Sequence, residues 1–536
     1  MSNVGKSSLV RRVAAAAGAL ALGLAGLAGA ALTANADTTV PVTGVGNIVA
    51  GTSTSLTINK YSGLEASTPD DGALNNSIDQ TTHKPLNGVQ FTITPVSAKT
   101  VNGTAQPINL DTPEGWDLIS GVQASDVTKT GSAYTQDTAN ATTVTTANGG
   151  VAKATLPHGL YLVQEGDDTG NNGIVSKTAD FLVTLPLPHV AQDGTTDGHW
   201  IYDVNVYPKN QLLAGPGKTI NSDADQSALG VKVGDVVEYT IKQTVPALNT
   251  GETYTQARIF DNLRTDELAF DSQVSVQLNG TDLVAGDDYA LTTDATGNVS
   301  WDLTPAGLAK IHKDDVITVV FKAKVLKVTV TGGIANGPGT GNPGEPGYGS
   351  EFNHKSVPPT QTPYTYWGQL QVTKVVKGNT DQKLANAEFA VAELPATANE
   401  CPTTAPAAAD AVATGTSDAN GVVQWNSTPT SPLGLFVANS DTDPNPADFH
   451  KDYCLYETKA PAGYILKDAP QKVTITPGTT LTAGANDITV EDEQQNHPNL
   501  PLTGAAGTVV MTLGGIALVA AGGAAYAISR KKQSAR

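Results

Sequence analysis

The chain is poor in several things at once: 536 residues contain two cysteines, two methionines, eight histidines and 5% aromatic residues, and 32 basic side chains stand against 51 acidic ones for a formal charge of −19. Each scarcity excludes something. Two cysteines cannot staple a chain of this length, so a small disulfide scaffold is ruled out, and without a Cys-x-x-Cys spacing there is no dithiol redox motif. Eight histidines with no Cys/His, Ser/His or ligand-spaced cluster give no catalytic centre, no metal site and no cofactor site. No Asp-x-Ser-x-Ser run marks a metal-dependent adhesin domain. Nucleic-acid binding needs a basic stripe to neutralise phosphates; the lysines and arginines cluster only at the two ends, so nucleic acid is excluded as a partner. Between residues 37 and 499 no sustained 3.6-residue apolar period occurs, which leaves no room for a helical bundle.

What is present is Thr, Val, Gly and Asn, with 54 glycines and 31 prolines. β-Branched residues fit a pleated surface, and Gly and Asn supply turn geometry. Alternating runs such as Leu56-Thr57-Ile58, Val204-Asn205-Val206 and Leu370-Gln371-Val372 recur along the chain. The fold class expected is all-β, with three tandem immunoglobulin-like sandwiches. Leu-Leu-Ala-Gly-Pro-Gly near residues 212–217 and the Gly/Pro-rich stretch upstream of Pro358–Pro363 set the boundaries, giving domains at 37–210, 211–363 and 364–499.

The ends set the compartment. Lys6, Arg11 and Arg12 precede an apolar run from Val13 to about Leu32, and Ala34-Asn35-Ala36 has the small-x-small form of a signal-peptidase site. Residues 1–36 read as a signal peptide, with Asp37 as the mature N-terminus. Gly5-Lys6-Ser7-Ser8 lacks the first glycine and the preceding strand of a phosphate loop, and reads as the basic n-region. In an exported chain the two cysteines, Cys401 and Cys454, are expected to pair. At the other end stand Leu500, Pro501, Leu502, Thr503 and Gly504, then an apolar stretch from Ala505 to Ile528 of membrane-spanning length and the basic residues Arg530, Lys531, Lys532 and Arg536. This 500–536 segment resembles the sorting signal of Gram-positive surface proteins. The resemblance implies cleavage between Thr503 and Gly504 by a sortase cysteine, only transient residence in the membrane, and covalent attachment to peptidoglycan.

A second motif runs from Trp200 through Val204, Val206, Tyr207 and Pro208 to Lys209. It resembles the pilin motif of sortase-assembled fimbriae. Strand alternation puts Val204, Val206 and Asn210 on the core face and Asn205, Tyr207 and Lys209 on the outer face, where an amine nucleophile has to be. The resemblance implies transpeptidation: the ε-amine of Lys209 on one subunit resolves the thioester formed at Thr503 of another. Repetition of a head-to-tail contact that does not close gives a fibre.

A third pattern is internal. Tyr453-Cys454-Leu455-Tyr456-Glu457-Thr458 matches the Tyr-x-Leu-x-Glu-Thr box of pilins and collagen-adhesin (Cna) B-type domains, in which a buried carboxylate promotes a lysine–asparagine isopeptide bond. Burial favours the neutral acid and the neutral amine together. Lys374 keeps the phase of Leu370 and Val372 and is the expected nucleophile. Asn496, in phase with Ile488 and Val490, is the expected acceptor, with Asp492 and Asn499 as alternatives. By the same resemblance the middle domain pairs Lys218, Asp261 and Asn353, although the customary Asn-x-Ala acceptor reads Asn353-His354-Lys355. The first domain pairs Lys60 and Asn210 with Glu165, in a looser box, Tyr161 to Glu165, that lacks the Thr. These bonds would form autocatalytically; the protein itself is not an enzyme.

Taken together, the resemblance to a major shaft pilin spans the whole chain. It implies a structural fimbrial subunit on the cell wall, supporting adhesion and biofilm formation. The implied partners are other copies of itself, a class C sortase, a housekeeping sortase, peptidoglycan and a tip pilin. The other reading is a monomeric wall-anchored adhesin for a host protein or glycan, which the Lys209 motif does not fit. Processing at both ends would remove seven basic and no acidic residues and shift the formal charge from −19 to −26. That charge would hold neighbouring fibres apart at low salt.

Overall fold

A computed structural model describes residues 48–64, 71–190, 196–338, 347–359, 361–442, 448–467 and 469–495. The signal peptide, the sorting signal from Leu500 to Gly504 and the candidate acceptors Asn496 and Asn499 lie outside the described residues. The chain forms two compact units, one of residues 1–366 with 438–446 and the other of 367–437 with 447–536.

The first unit contains two β-sandwiches in succession. In the first, Thr54–Asn59 lies between Asp203–Val206, to which it is parallel, and Val151–Leu156, to which it is antiparallel. The reason is visible along Val151–Leu156, where buried Ala152, Ala154 and Leu156 alternate with exposed Lys153 and Thr155. The facing sheet is centred on the long strand Val89–Val101, which pairs with Gly159–Asp168, itself paired with Phe181–Leu185. Leu56, Ile58, Phe91, Ile93, Val163, Val183, Val204 and Val206 fill the space between the sheets. A smaller apolar cluster, including Leu110, Ile119, Val127 and Leu162, is closed by two short helices, Pro113–Ile119 and Ala124–Thr128. Thr112 caps the first of them and Pro113 opens it, the usual chemistry of a helix start. Gln211–Leu212 turns back to pair with Ile174–Ser176, so the first sandwich extends past Asn210.

In the second sandwich one sheet runs Gly217–Ile220, Val236–Thr244, Val316–Val325, Leu268–Leu278 and Thr281–Asp282. The other runs Tyr289–Thr293, Asn298–Leu303, Ala257–Asn262, Gly347–Phe352 and Lys355–Ser356. Its core is aromatic, with Tyr239, Phe260, Trp301, Phe321 and Tyr348 all buried. Tyr364–Tyr366 pairs with Gly333–Ala335 and so belongs to this first unit.

The second unit is a third sandwich. Glu388–Glu393 pairs with Ala413–Ser417 on one side and Lys451–Lys459 on the other. In the opposing sheet Gln371–Val376 runs parallel to Asp487–Asp492. Cys401 and Cys454 form a disulfide beside a small cluster of Ala390, Tyr456, Leu394, Ala405 and Ala411. In the first and third sandwiches the opening and closing strands are thus direct parallel neighbours.

Candidate functional site: three buried lysines and the Trp200–Lys209 segment

Parallel pairing dictates what meets what. In the first sandwich Ile58 is level with Val206, so the next residue on the same face, Lys60, runs alongside the segment that follows Val206. Lys60 is fully buried. Its Nζ lies 3.0 Å from Glu165 Oε2, donates to the Pro208 carbonyl at 3.0 Å and contacts the side-chain oxygen of Asn210. Asn210 Nδ2 in turn donates to Glu165 Oε1 at 2.5 Å. Glu165 reaches the same point from Gly159–Asp168, level with Phe91 across the sheet, and is 1% exposed. Burial lowers the Lys60 pKa to about 8, against the opposing pull of Glu165.

The second sandwich places Lys218 and Asp261 in contact, both completely buried. The ammonium sits 4.5 Å from the Tyr239 ring centre, 4.9 Å from Tyr348 and 5.6 Å from Phe321. Burial lowers Lys218 to about 8 and raises Asp261, while each opposes the shift of the other. Both directions favour a neutral amine beside a neutral acid. Asn353 does not join them, contrary to expectation. It sits just past the end of Gly347–Phe352 with φ of 46°. Its Oδ1 accepts from the Thr255 amide at 2.8 Å and its Nδ2 donates to the Thr253 carbonyl at 3.2 Å, so it pins a turn. The asparagine beside Asp261 is Asn336, 3% exposed, close enough to oppose the rise in the Asp261 pKa. Asn336 Nδ2 and Asp261 Oδ1 are nonetheless buried without a well-formed hydrogen bond, an arrangement costly to leave unresolved. The sequence carried a signal for Asn336: it stands two residues after buried Ile334, hence on the same face.

In the third sandwich the register Val376↔Asp492 puts Asp492 diagonally across from Lys374 on the core face. Lys374 Nζ contacts Asp492 and lies 2.9 Å from Glu457 Oε2, and all three side chains are at most 1% exposed. Burial, with Asp492 adding to it, pushes Glu457 up to about 7 against the pull of Lys374. Among the described residues Glu457 Oε1 and Asp492 Oδ2 meet no well-formed hydrogen-bond partner. Phase alone admitted both Asp492 and Asn496, and the register of the last strand brings Asp492 to the lysine.

Within the Trp200–Lys209 segment, Val204 and Val206 face the core. Tyr207 was expected outside; it is 3% exposed, and its hydroxyl accepts from the Asn75 amide at 2.6 Å. The strand Asp203–Val206 ends before it, and once Pro208 interrupts the ladder the alternation no longer applies. Lys209 is half-buried, between buried Pro208 and half-buried Asn210. Trp200 packs on Trp116 of the first helix with ring centres 5.2 Å apart, a partner that no local pattern announces.

Each of the three serial β-sandwiches brings a buried lysine together with a carboxyl group and with an amide or second carboxyl group. Residues 51–211 match the N-terminal D1 domain of Gram-positive pilin subunits, and residues 492–534 match the LPXTG cell wall anchor motif. The chain is 32% identical to a fimbrial subunit type 2 of Actinomyces naeslundii, over 99% of this chain and 98% of that one. It is 28% identical to a fimbrial subunit type 1 of Actinomyces viscosus, over 96% and 97%. The full-length major pilin SpaD from Corynebacterium diphtheriae superposes with a TM-score of 0.55 at 25% identity, covering 84% of this chain and all of that one. The chain belongs to the family of Gram-positive fimbrial subunits. It is a structural pilin, exported and carried on the cell surface by its wall anchor.

Proposed function

We propose that this subunit forms the shaft of the fimbria, joined head to tail by a class C sortase through a Thr503–Lys209 isopeptide bond. A housekeeping sortase then transfers the finished fibre to peptidoglycan, and a tip pilin caps it. Three internal bonds, Lys60–Asn210, Lys218–Asn336 and Lys374–Asp492, lock the sandwiches. In the first two the neutral lysine nitrogen attacks the amide carbon, the C–N bond forms, and ammonia leaves with a proton relayed by Glu165 or Asp261. In the third the Lys374 nitrogen attacks the Asp492 carboxyl carbon, the C–N bond forms, Glu457 relays the proton, and water leaves. The observation that carries this reading is the burial of each lysine against a carboxyl group and an acceptor that is itself buried or tied to that carboxyl group. Ion pairs buried this deeply gain little as ion pairs, whereas condensation removes the charge altogether. With Lys209 as the entry point of force and Thr503 as the exit, each tie prevents its sandwich from unzipping between its terminal strands. Kinetic resistance of this kind is what a surface fibre under tension requires.

Detergent-boiled wall extracts of cells carrying the wild-type chain should give a ladder of covalent multimers. Lys209→Ala should collapse the ladder to monomer, and a ladder that persists in that variant removes Lys209 from the linkage.

A further inference from the structure

Seven asparagines in the chain are followed directly by glycine. Such a pair is open to self-attack, because a backbone nitrogen on a residue without Cβ can close a five-membered ring on the side-chain carbonyl carbon with little obstruction. The fold ties down five of the seven. Asn87 Oδ1 accepts from the Gly150 amide at 2.9 Å, and the Gly88 amide is itself taken by the Thr146 carbonyl at 2.7 Å. Asn172 Nδ2 donates to Asp168 Oδ1 at 2.6 Å and to the Asn87 carbonyl at 2.9 Å. Asn279 is held at both ends, donating to Asp315 Oδ1 at 2.7 Å and accepting from the Val316 amide at 2.8 Å. Asn336 is buried. After Asn420 the attacking nitrogen is engaged, since the Gly421 amide donates to the Asp418 carbonyl at 2.9 Å.

Asn102 and Asn148 are the two left open. Both are exposed. Among the described residues neither side chain has a hydrogen-bond partner, and neither the Gly103 nor the Gly149 amide donates to one. A Cβ built on either glycine would meet nothing within 4 Å, so the space a ring must occupy is empty. Backbone shape does not explain the difference from the protected pairs. Asn102 and Gly103 have φ of 49° and 81°, Asn279 and Gly280 have 50° and 81°, and each pair makes a tight hairpin turn. Only the side-chain ties of Asn279 separate them.

We propose that Asn102 and Asn148 are modification sites of the exported subunit, at which the side-chain amide is hydrolysed through a cyclic imide with water as the only co-reactant. The glycine nitrogen gives up its proton to solvent and attacks Asn Cγ. A C–N bond forms, the side-chain nitrogen takes up a proton, and ammonia leaves. Water then adds to one of the two imide carbonyls and breaks one C–N bond, which yields aspartate or its β-linked isomer. The exchange of nitrogen for ammonia is that of a lysine–asparagine crosslink, but it needs no buried lysine or carboxyl group. Each site gains one negative charge, so two conversions add two charges to the first sandwich. At Asn102 the β-linked product also puts an extra backbone carbon into the two-residue loop between paired Val101 and Thr104, a loop whose length sets the register of its hairpin. A subunit outside the cell is beyond the reach of resynthesis, so the modification accumulates with its age.

The test is ageing of the full mature chain at mildly alkaline and mildly acid pH, followed by peptide mapping with separation of the β-linked isomer. The Asn102 and Asn148 peptides should each gain about 1 Da, faster at alkaline pH because the attacking nitrogen must lose its proton. Asn279 should convert about tenfold more slowly, since two hydrogen bonds must open first. In denaturant the three rates should converge, and Asp315→Ala should raise the Asn279 rate in the folded chain. A variant carrying Asn102→Gln and Asn148→Gln should keep its charge through ageing on anion exchange. The proposal is overturned if Asn102 and Asn148 stay intact in the folded chain while the denatured chain converts, if folded Asn279 converts as fast as they do, or if the double variant gains charge at the wild-type rate.

Discussion

Replacing Glu457 by Ala should leave the third sandwich folded but open. The carboxyl group lies 2.9 Å from Lys374 Nζ and is held near neutrality by burial, its pKa pushed up to about 7. Without it no group relays the proton from the amine to the departing water, and Lys374 and Asp492 stay a buried ion pair. The proposed bond would join residues 118 apart in sequence, and the Cys401–Cys454 disulfide, itself spanning 53, lies inside that loop. The disulfide shortens the effective loop to roughly 65 residues, for which chain entropy gives about 4 to 5 kcal/mol. Because closure entropy grows only with the logarithm of loop length, the disulfide removes little of the effect. A sandwich of roughly 130 residues has an unfolding entropy of about 0.27 kcal/mol/K, so its Tm should fall by about 15 °C. Calorimetry of the whole mature chain resolves this as one transition moving while the others stay. Intact mass supplies the chemical control: the wild type is lighter than its sequence by a water from this site, and the variant is not. If Glu457→Ala still loses the water, Glu457 is not the proton relay. If the water is retained and the transition moves by less than about 3 °C, the loop-entropy argument fails.

Three further predictions concern the mass of the mature chain and the behaviour of the first two sandwiches. The mature wild-type chain should be lighter than its sequence mass by about 17 Da for each lysine–asparagine bond, about 18 Da for Lys374–Asp492 and about 2 Da for the disulfide. Asn336→Ala should restore one ammonia and Asn353→Ala none; the opposite pattern would return the acceptor to the closing strand. In Asn210→Ala the Lys60 amine remains buried and titratable, with a pKa near 8 against 10.5 for the free side chain. Between those values the unfolded chain binds more protons than the folded one, so stability rises with pH. The cost, about 3 kcal/mol by linkage, is fully present below pH 8 and relieved by about pH 10.5. Melting of the first sandwich followed across that window should show the rise in Asn210→Ala and not in the crosslinked wild type, whose Lys60 nitrogen no longer titrates; a flat profile in the variant contradicts the buried-amine account.

Local pattern determined a good deal of this protein. Period-two alternation set the inward direction of Lys60, Lys374, Glu457, Val204 and Val206, because side chains on a strand have only two directions to choose from. The Tyr453–Thr458 box and the Trp200–Lys209 motif are short and contiguous, so the sequence displays each of them whole. Alternation is informative only while the strand lasts. It misplaced Tyr207, one residue past the end of Asp203–Val206, where Pro208 had already ended the ladder.

What only the tertiary structure decided was which side chains stand beside Lys218 and Lys374. Asp492 and Asn496 share a phase, so nothing local separates them, and Asn353 and Asn336 both lie late in the middle sandwich. Strand register separates them, and register is a property of two segments more than a hundred residues apart. The value of about 8 for Lys60 and Lys218 likewise comes from the surrounding sheets, since desolvation depends on everything packed around a charge. The same is true of the hold of Lys60 on Pro208 and Asn210, on either side of Lys209. The sequence by itself determined which lysines and carboxyl groups face inward. The fold determined which of them touch, because contact between distant strands is fixed by the packing of the whole sandwich.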